Sequence, residues 1–229
     1  MAQACHAVTH DLARPWAVPL PGWSAAWSLV NSSRSALIDA FLISTGVVTL
    51  AEIGDKTQLL AFLLAARFKK PWIIILAILL ATFANHALAA LLGTWLTTLL
   101  APDTLRWILG ASFILMALWI LVPDKLDDAE ASGIGHLGVF GTTLLTFFLA
   151  EMGDKTQIAT VALAAQYQSF LLVVLGTTLG MMIANAPAVL VGEKLAHRIP
   201  VKWVHGTAAV IFLVLGLYAL TGYSAVLGL

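Results

Sequence analysis

The sequence has a single cysteine, Cys5, which excludes an internal disulfide and any multi-cysteine metal site. Charge is scarce as well. Only 10% of residues are Asp, Glu, Lys or Arg, against about 25% in ordinary soluble domains. Acidic and basic residues number 12 each and cancel, so there is no basic footprint and nucleic acid is excluded as a partner. Residues 1–34 carry neither the basic start nor the apolar core of a secretory signal. No Ser/His pair, His-Glu-x-x-His run or aspartate dyad supports an intramembrane enzyme, so a non-enzymatic role is expected.

What is abundant is hydrocarbon. Residues are 60% hydrophobic and the mean hydropathy is +0.94, the composition of an integral membrane protein whose first partner is the lipid bilayer. Residues 1–34 read as an N-terminal extension, broken by Pro15, Pro19 and Pro21 and studded with Trp16, Trp23 and Trp27, which suit a membrane interface. From Ser35 onward, six apolar segments run approximately 36–66, 71–100, 104–122, 137–166, 169–196 and 203–223. Each is near the ~20 residues that span a bilayer. The first, second, fourth and fifth are long enough to be tilted or broken.

Two of these segments contain nearly the same octapeptide. Ala51-Glu52-Ile53-Gly54-Asp55-Lys56-Thr57-Gln58 returns as Ala150-Glu151-Met152-Gly153-Asp154-Lys155-Thr156-Gln157, with seven of eight positions identical. A charge at the centre of a membrane helix costs roughly 2.5–3.5 kcal/mol on insertion scales. Accepting that cost twice in one pattern points to a built site rather than to helix-gluing ion pairs. On an unbroken helix Glu52 and Asp55 share one face with Lys56 beside them, and Thr57 and Gln58 point away. Gly54 and Gly153 are natural break points.

The repeat extends further. Phe68 matches Tyr167 and Gly93 matches Gly192 at an offset of 99, Ala84-Asn85 matches Ala184-Asn185 at 100, and Trp107-Ile108-Leu109-Gly110 matches Trp203-Val204-His205-Gly206 at 96. The expected fold is therefore an all-α membrane protein of six transmembrane helices, built as two three-helix repeats at 35–122 and 137–229. An acidic loop, 123–136, joins them. An odd number of crossings per half inserts the copies in opposite orientation, the arrangement of inverted-repeat transporters with a site near the midplane. Apart from the motif lysines, Arg67, Lys69, Lys70, Lys125, Lys194, Arg198 and Lys202 fall on one side, and Arg14, Arg34 and Arg106 on the other. The richer side is expected in the cytoplasm, with both termini outside and the chain in the cell's inner (plasma) membrane.

Glu52, Asp55, Glu151 and Asp154 carry four negative charges if ionised, and Lys56 and Lys155 return two. One divalent cation neutralises the remainder. Hard cations take oxygen ligands, so the expected metal site comprises Glu52, Asp55, Glu151 and Asp154 with Gln58, Gln157, Asn85 and Asn185. Lys56, Lys155, Thr57 and Thr156 serve as charge and hydrogen-bond partners; ligation through Thr57 or Gln58 requires unwinding near Gly54. When the metal leaves, crowded carboxylates in a low dielectric take up protons, which couples the two ions. The ion and the protons are cargo, and no resident cofactor is expected. His86 and His205 have no histidine at their matching positions, Ala186 and Leu109, and read as packing or hydrogen-bonding residues.

The doubled Glu-x-Gly-Asp-Lys-Thr motif, leading each three-span half and followed by the second-span asparagines, resembles the Golgi-type manganese/calcium–proton exchanger family. Within it the likeness is to the bacterial manganese exporters of the MneA type. It covers the chain from about residue 36 onward. The resemblance implies a six-span transporter exchanging Mn²⁺ or Ca²⁺ for protons, and leaves a homo-oligomer open. The competing expectation is an exporter of another small solute, such as a basic amino acid, which would need room for an organic body.

Overall fold

The computed structural model describes the backbone of residues 23–122, 137–191 and 201–221, with side chains from 37 in the first stretch and 202 in the last. The acidic stretch 123–136, Gly192, Lys194, Arg198 and residues 1–22 lie outside the described residues. The chain separates into two compact units, Met1–Ser35 and Ala36–Leu229, and the described side chains belong to the second. Every element among the described residues is helical: α1 Trp23–Glu52, α2 Lys56–Phe68, α3 Pro71–Leu99, α4 Pro102–Trp119, α5 Gly138–Glu151, α6 Lys155–Tyr167, α7 Phe170–Val191 and α8 Val201–Leu220. Pro71 and Pro102 occupy first-turn positions of α3 and α4, where a missing N–H costs nothing.

Burial is inverted relative to a water-soluble protein. Trp203, Trp72, Leu115 and Leu118 are among the most exposed side chains, Trp203 at 79%. Glu52, Glu151, Asn85 and Asn185 are fully buried. In water such a surface would be a large uncovered apolar patch; in lipid it is the contact surface. Trp72, Trp107 and Trp203 stand near the starts of α3, α4 and α8, as indoles do at the membrane–water boundary. By length and composition, α3, α7 and Lys202–Leu220 can each cross a bilayer, and Leu37–Glu52 with Lys56–Phe68 makes a fourth crossing if that bent pair is one span. α4 has only 18 residues, with Asp103 and Arg106 in its first two turns, and α5 has 14.

Glycines let the helices close on the site. A Cβ on Gly93 of α3 would run into Val161 O of α6, and one on Gly176 or Gly180 of α7 would lie 2.6 Å from Phe41 O or Thr45 O of α1. Such close approach is how membrane helices gain packing energy where lipid is as apolar as leucine. Thr49 Oγ1 also reaches Gly180 O at 3.4 Å. α3 therefore runs against α6, and α1 against α7, each joining one half of the sequence to the other. Gly110 of α4 and Gly216 of α8 meet in the same way, the Gly216 position facing Gly110 O.

Candidate functional site

Both octapeptides break their helix, and they break it alike. α1 ends at Glu52 and α2 restarts at Lys56 with a bend of 71°; α5 ends at Glu151 and α6 restarts at Lys155. The shared face expected of an unbroken helix for Glu52 and Asp55 is thus replaced by a turn. Gly54 and Gly153 take φ of 86° and 76°, values open to glycine but strained for other residues. Asp55 and Asp154 follow with φ/ψ of −77/168° and −78/168°. They occupy the N-cap positions of α2 and α6, yet neither carboxylate caps its helix. The exits match as well, with left-handed Lys69 and Gln168 at the 99-residue offset.

Each break exposes the carbonyl end of one helix and the N–H end of the next, the paired termini with which discontinuous membrane helices hold ions. Glu52 and Glu151 are the last residues of α1 and α5 and are fully buried. One carboxylate oxygen each from Glu52, Glu151 and Asp154 lies within 4.8 Å of the other two, so the two motifs converge. Asp55, 3% exposed, lies beside the same group: its Oδ1 is 4.0 Å from Lys155 Nζ, and Lys155 also donates to Val122 O at 3.0 Å. Lys56 of the first motif is half-buried. The lysine of the second motif therefore addresses an acid of the first.

The family model described as "Divalent cation/proton antiporter GDT1" matches residues 40–128 and 139–225. The chain belongs to this antiporter family. A relative from Vibrio cholerae serotype O1 named "Putative manganese exporter" is 52% identical over 192 residues, covering 83% of this chain and 95% of the relative. "GDT1-like protein sll0615" of Synechocystis is 33% identical over 187 residues, 73% of this chain and 90% of that protein. "GDT1-like protein 3" of Arabidopsis thaliana is 27% identical over 210 residues, 80% of this chain and 71% of that protein. No solved structure matches. The family is one of transporters, and its substrate class, divalent cations, suits a buried convergence of carboxylates.

Among the described residues of this antiporter, Glu52 Oε1, Glu151 Oε1 and Asn185 Oδ1 are buried acceptors without a hydrogen-bond donor. Leaving such groups unsatisfied costs about 1–3 kcal/mol each, and a cation or a proton would answer the two glutamate oxygens. The second oxygens of the glutamates are engaged: Thr57 Oγ1 donates to Glu52 Oε2 at 2.6 Å and Thr156 Oγ1 to Glu151 Oε2 at 3.0 Å. Removing that support should weaken divalent-ion binding without unfolding the helices. Thr57→Val and Thr156→Val are each expected to raise the Kd by about 10–100-fold, the range for residues that orient a ligand. Isothermal titration with Mn²⁺ measures it, and an unchanged Kd would remove the threonines from the site.

The glutamines brace the breaks. Gln58 Oε1 accepts the Gly54 N–H at 3.0 Å, and Gln157 Oε1 accepts the Gly153 N–H at 2.6 Å. Their amide nitrogens reach into the other half, Gln58 to Ala184 O at 2.9 Å and Gln157 to Asn85 Oδ1. Asn85 donates in turn to Phe148 O at 3.3 Å, while Asn185 donates to Met181 Sδ. The two asparagines are therefore not equivalent: one oxygen is taken and the other open. His86 is fully buried with neither ring nitrogen hydrogen-bonded among the described residues. Sequence reasoning missed the bracing role of the glutamines, although their position four residues after each glycine was available as a signal.

Proposed function

We propose that this chain exports Mn²⁺ from the cytoplasm in exchange for protons, with the ion bound where the two octapeptides converge. The convergence of Glu52, Glu151 and Asp154 carries this reading. It puts anionic oxygens from both halves of the chain into one buried cluster. The 52% identity to the Vibrio protein supports manganese as the ion, with Ca²⁺ the other hard cation the donor set would accept.

Glu52, Glu151 and Asp154 are the first ligands, and Asp55 joins when Lys155 releases it. Asn185 Oδ1 adds a neutral oxygen, and Asn85, Gln58 and Gln157 complete the set where their remaining lone pairs allow. Lys56 and Lys155 offset charge when the divalent ion is away. Protons then occupy the carboxylates, so each transit of the ion in one direction returns protons in the other.

In this reading the chain crosses the plasma membrane six times as two inverted three-helix repeats. α1 with α2, α3 and α4 form one repeat; α5 with α6, α7 and α8 form the other. The matched breaks and matched exit residues support it, and rocking of one repeat against the other supplies alternating access. Both termini lie outside the cytoplasm. In a Cys5→Ser background, a cysteine in the 123–136 stretch should react with an impermeant reagent only from the cytoplasmic side. One added after Leu229 should react only from outside; reaction of both from one side would overturn the inverted arrangement. The function itself is tested in proteoliposomes by proton flux driven by Mn²⁺, Ca²⁺ and Mg²⁺ in turn. Mn²⁺ should drive the largest flux, and flux with none of the three would overturn the exchanger reading.

A further inference from the structure

The peptide unit joining Ile53 to Gly54 is held at both ends. Its N–H donates to Gln58 Oε1 at 3.0 Å, and its carbonyl, Ile53 O, lies 2.9 Å from His205 Nε2. A carbonyl only accepts, so the imidazole carries hydrogen on Nε2 and donates it. His205 is buried in α8, the third helix of the opposite half. One residue of the second repeat thus grips the unwound backbone of the first motif, between Glu52 and Asp55.

Among the described residues, the second motif lacks this grip. The corresponding peptide unit, Met152–Gly153, has its N–H on Gln157 Oε1 at 2.6 Å. The register of the third helices, however, puts Leu109 of α4 where the other half has His205, and a leucine side chain has no donor. Met152 is 56% exposed where Ile53 is half-buried. In other respects the breaks correspond. Both have a positive-φ glycine, an extended aspartate and a threonine on the glutamate. Asp55 N donates to Glu52 O at 3.0 Å and Asp154 N to Glu151 O at 3.2 Å. The imidazole is the added piece.

We propose that His205 is a positioning residue that pins the break of the first motif and makes the two halves of the exchanger unequal. Two inverted repeats of the same sequence would have end states of equal energy, each the mirror of the other in which half is open. A hydrogen bond formed in only one end state biases that equilibrium by its own worth. With His205 in place, the end state in which it holds Ile53 O is favoured over its counterpart. The apparent affinities for the ion at the two membrane faces then differ. This last consequence rests on the exchanger reading; the pinning itself does not.

Amide hydrogen–deuterium exchange on the full chain in nanodiscs, without metal, tests the pinning directly. In the unmodified protein residues 53–55 should exchange more slowly than 152–154. His205→Leu should speed exchange at 53–55 by about three- to tenfold, the worth of one ordinary hydrogen bond, and leave 152–154 unchanged. His205→Gln, whose amide can still donate to Ile53 O, should restore slow exchange. In oriented proteoliposomes, His205→Leu should change the ratio of the Mn²⁺ KM values at the two faces by a similar factor, and His205→Gln should return it. Equal exchange at the two breaks of the unmodified protein overturns the proposal, and that comparison needs no variant to fold. An unchanged rate at 53–55 in a folded His205→Leu protein overturns it too. Absence of Mn²⁺-driven flux in the unmodified protein would defeat the exchanger reading alone, and the pinning would still stand or fall by amide exchange.

Discussion

Glu52→Gln and Glu151→Gln should each abolish Mn²⁺-driven proton exchange while leaving the protein inserted and folded. Glutamine keeps the volume of glutamate, and its amide oxygen can still accept from Thr57 or Thr156, whose hydroxyls bond the glutamates at 2.6 and 3.0 Å. Packing around the ends of α1 and α5 is therefore preserved. What is lost is one anionic oxygen from a buried group of three acids whose ligand atoms lie within 4.8 Å of one another. A divalent ion entering that group gives up its water and depends on the carboxylates for compensation. Residues that merely support a ligand already cost up to about 100-fold in affinity when removed, so loss of a ligand should exceed that. Because the two glutamates come from different halves yet share one cluster, either substitution alone should suffice. Proton flux in proteoliposomes reads the loss, and a thermal melt in detergent checks the fold. Wild-type transport by either single variant would separate the two motifs into independent elements.

Apparent affinity for Mn²⁺ should rise steeply with pH, by about tenfold per pH unit for each proton displaced. The sign follows from competition at shared oxygens. In the exchanger reading, protons and the ion compete for the carboxylates of Glu52, Asp55, Glu151 and Asp154, so binding should be weakest at low pH. As pH rises those protons are already gone, and binding tightens until the last competing group has ionised. Asp154 contributes an oxygen to the cluster and Asp55 sits 4.0 Å from Lys155 at its side. The double substitution Asp55→Asn with Asp154→Asn should therefore both weaken binding and flatten the pH slope, since fewer titratable oxygens remain. Equilibrium binding of Mn²⁺ across about pH 5–9, a range wide enough for strongly perturbed carboxylates, measures the slope. A flat profile in the unmodified protein would sink proton exchange and favour a channel or uniporter.

The break at each motif was legible in the sequence because its causes are local. A glycine flanked by charges in an apolar run has few helical reasons to exist, and Gly54 and Gly153 do adopt the positive φ that only glycine takes without strain. The side-chain partnership within each motif was partly legible. Thr57 and Thr156, expected as hydrogen-bond partners, do bond the glutamates five residues before them. The shared face of Glu52 and Asp55 held only for an unbroken helix, and helical spacing stops meaning anything where the helix stops, between Glu52 and Lys56. The glutamines show the same limit: a sequence marks Gln58 and Gln157 as oxygen donors, and only the turned backbone reveals that those oxygens lie against the glycine N–H groups.

The sequence by itself determined the membrane character, the membership of the two octapeptides in one duplicated design and the presence of acids and amides of the kind hard cations take. All three depend on composition and on short-range pattern, which any folded arrangement of this chain must respect. The tertiary structure decided which of those side chains meet. Residues 99 apart come together in a bundle where α3 closes on α6 at Gly93, and α1 on α7 at Gly176 and Gly180. Those contacts depend on the absence of a side chain at particular helical positions. It also decided where the repeat stops being symmetric. His205 and Leu109 occupy one register in two similar helices, but only the packing of α8 against the first break turns the imidazole into a hydrogen bond to Ile53 O. Sequence identity can duplicate a motif, whereas the partners each copy finds are set by distances that the whole bundle fixes.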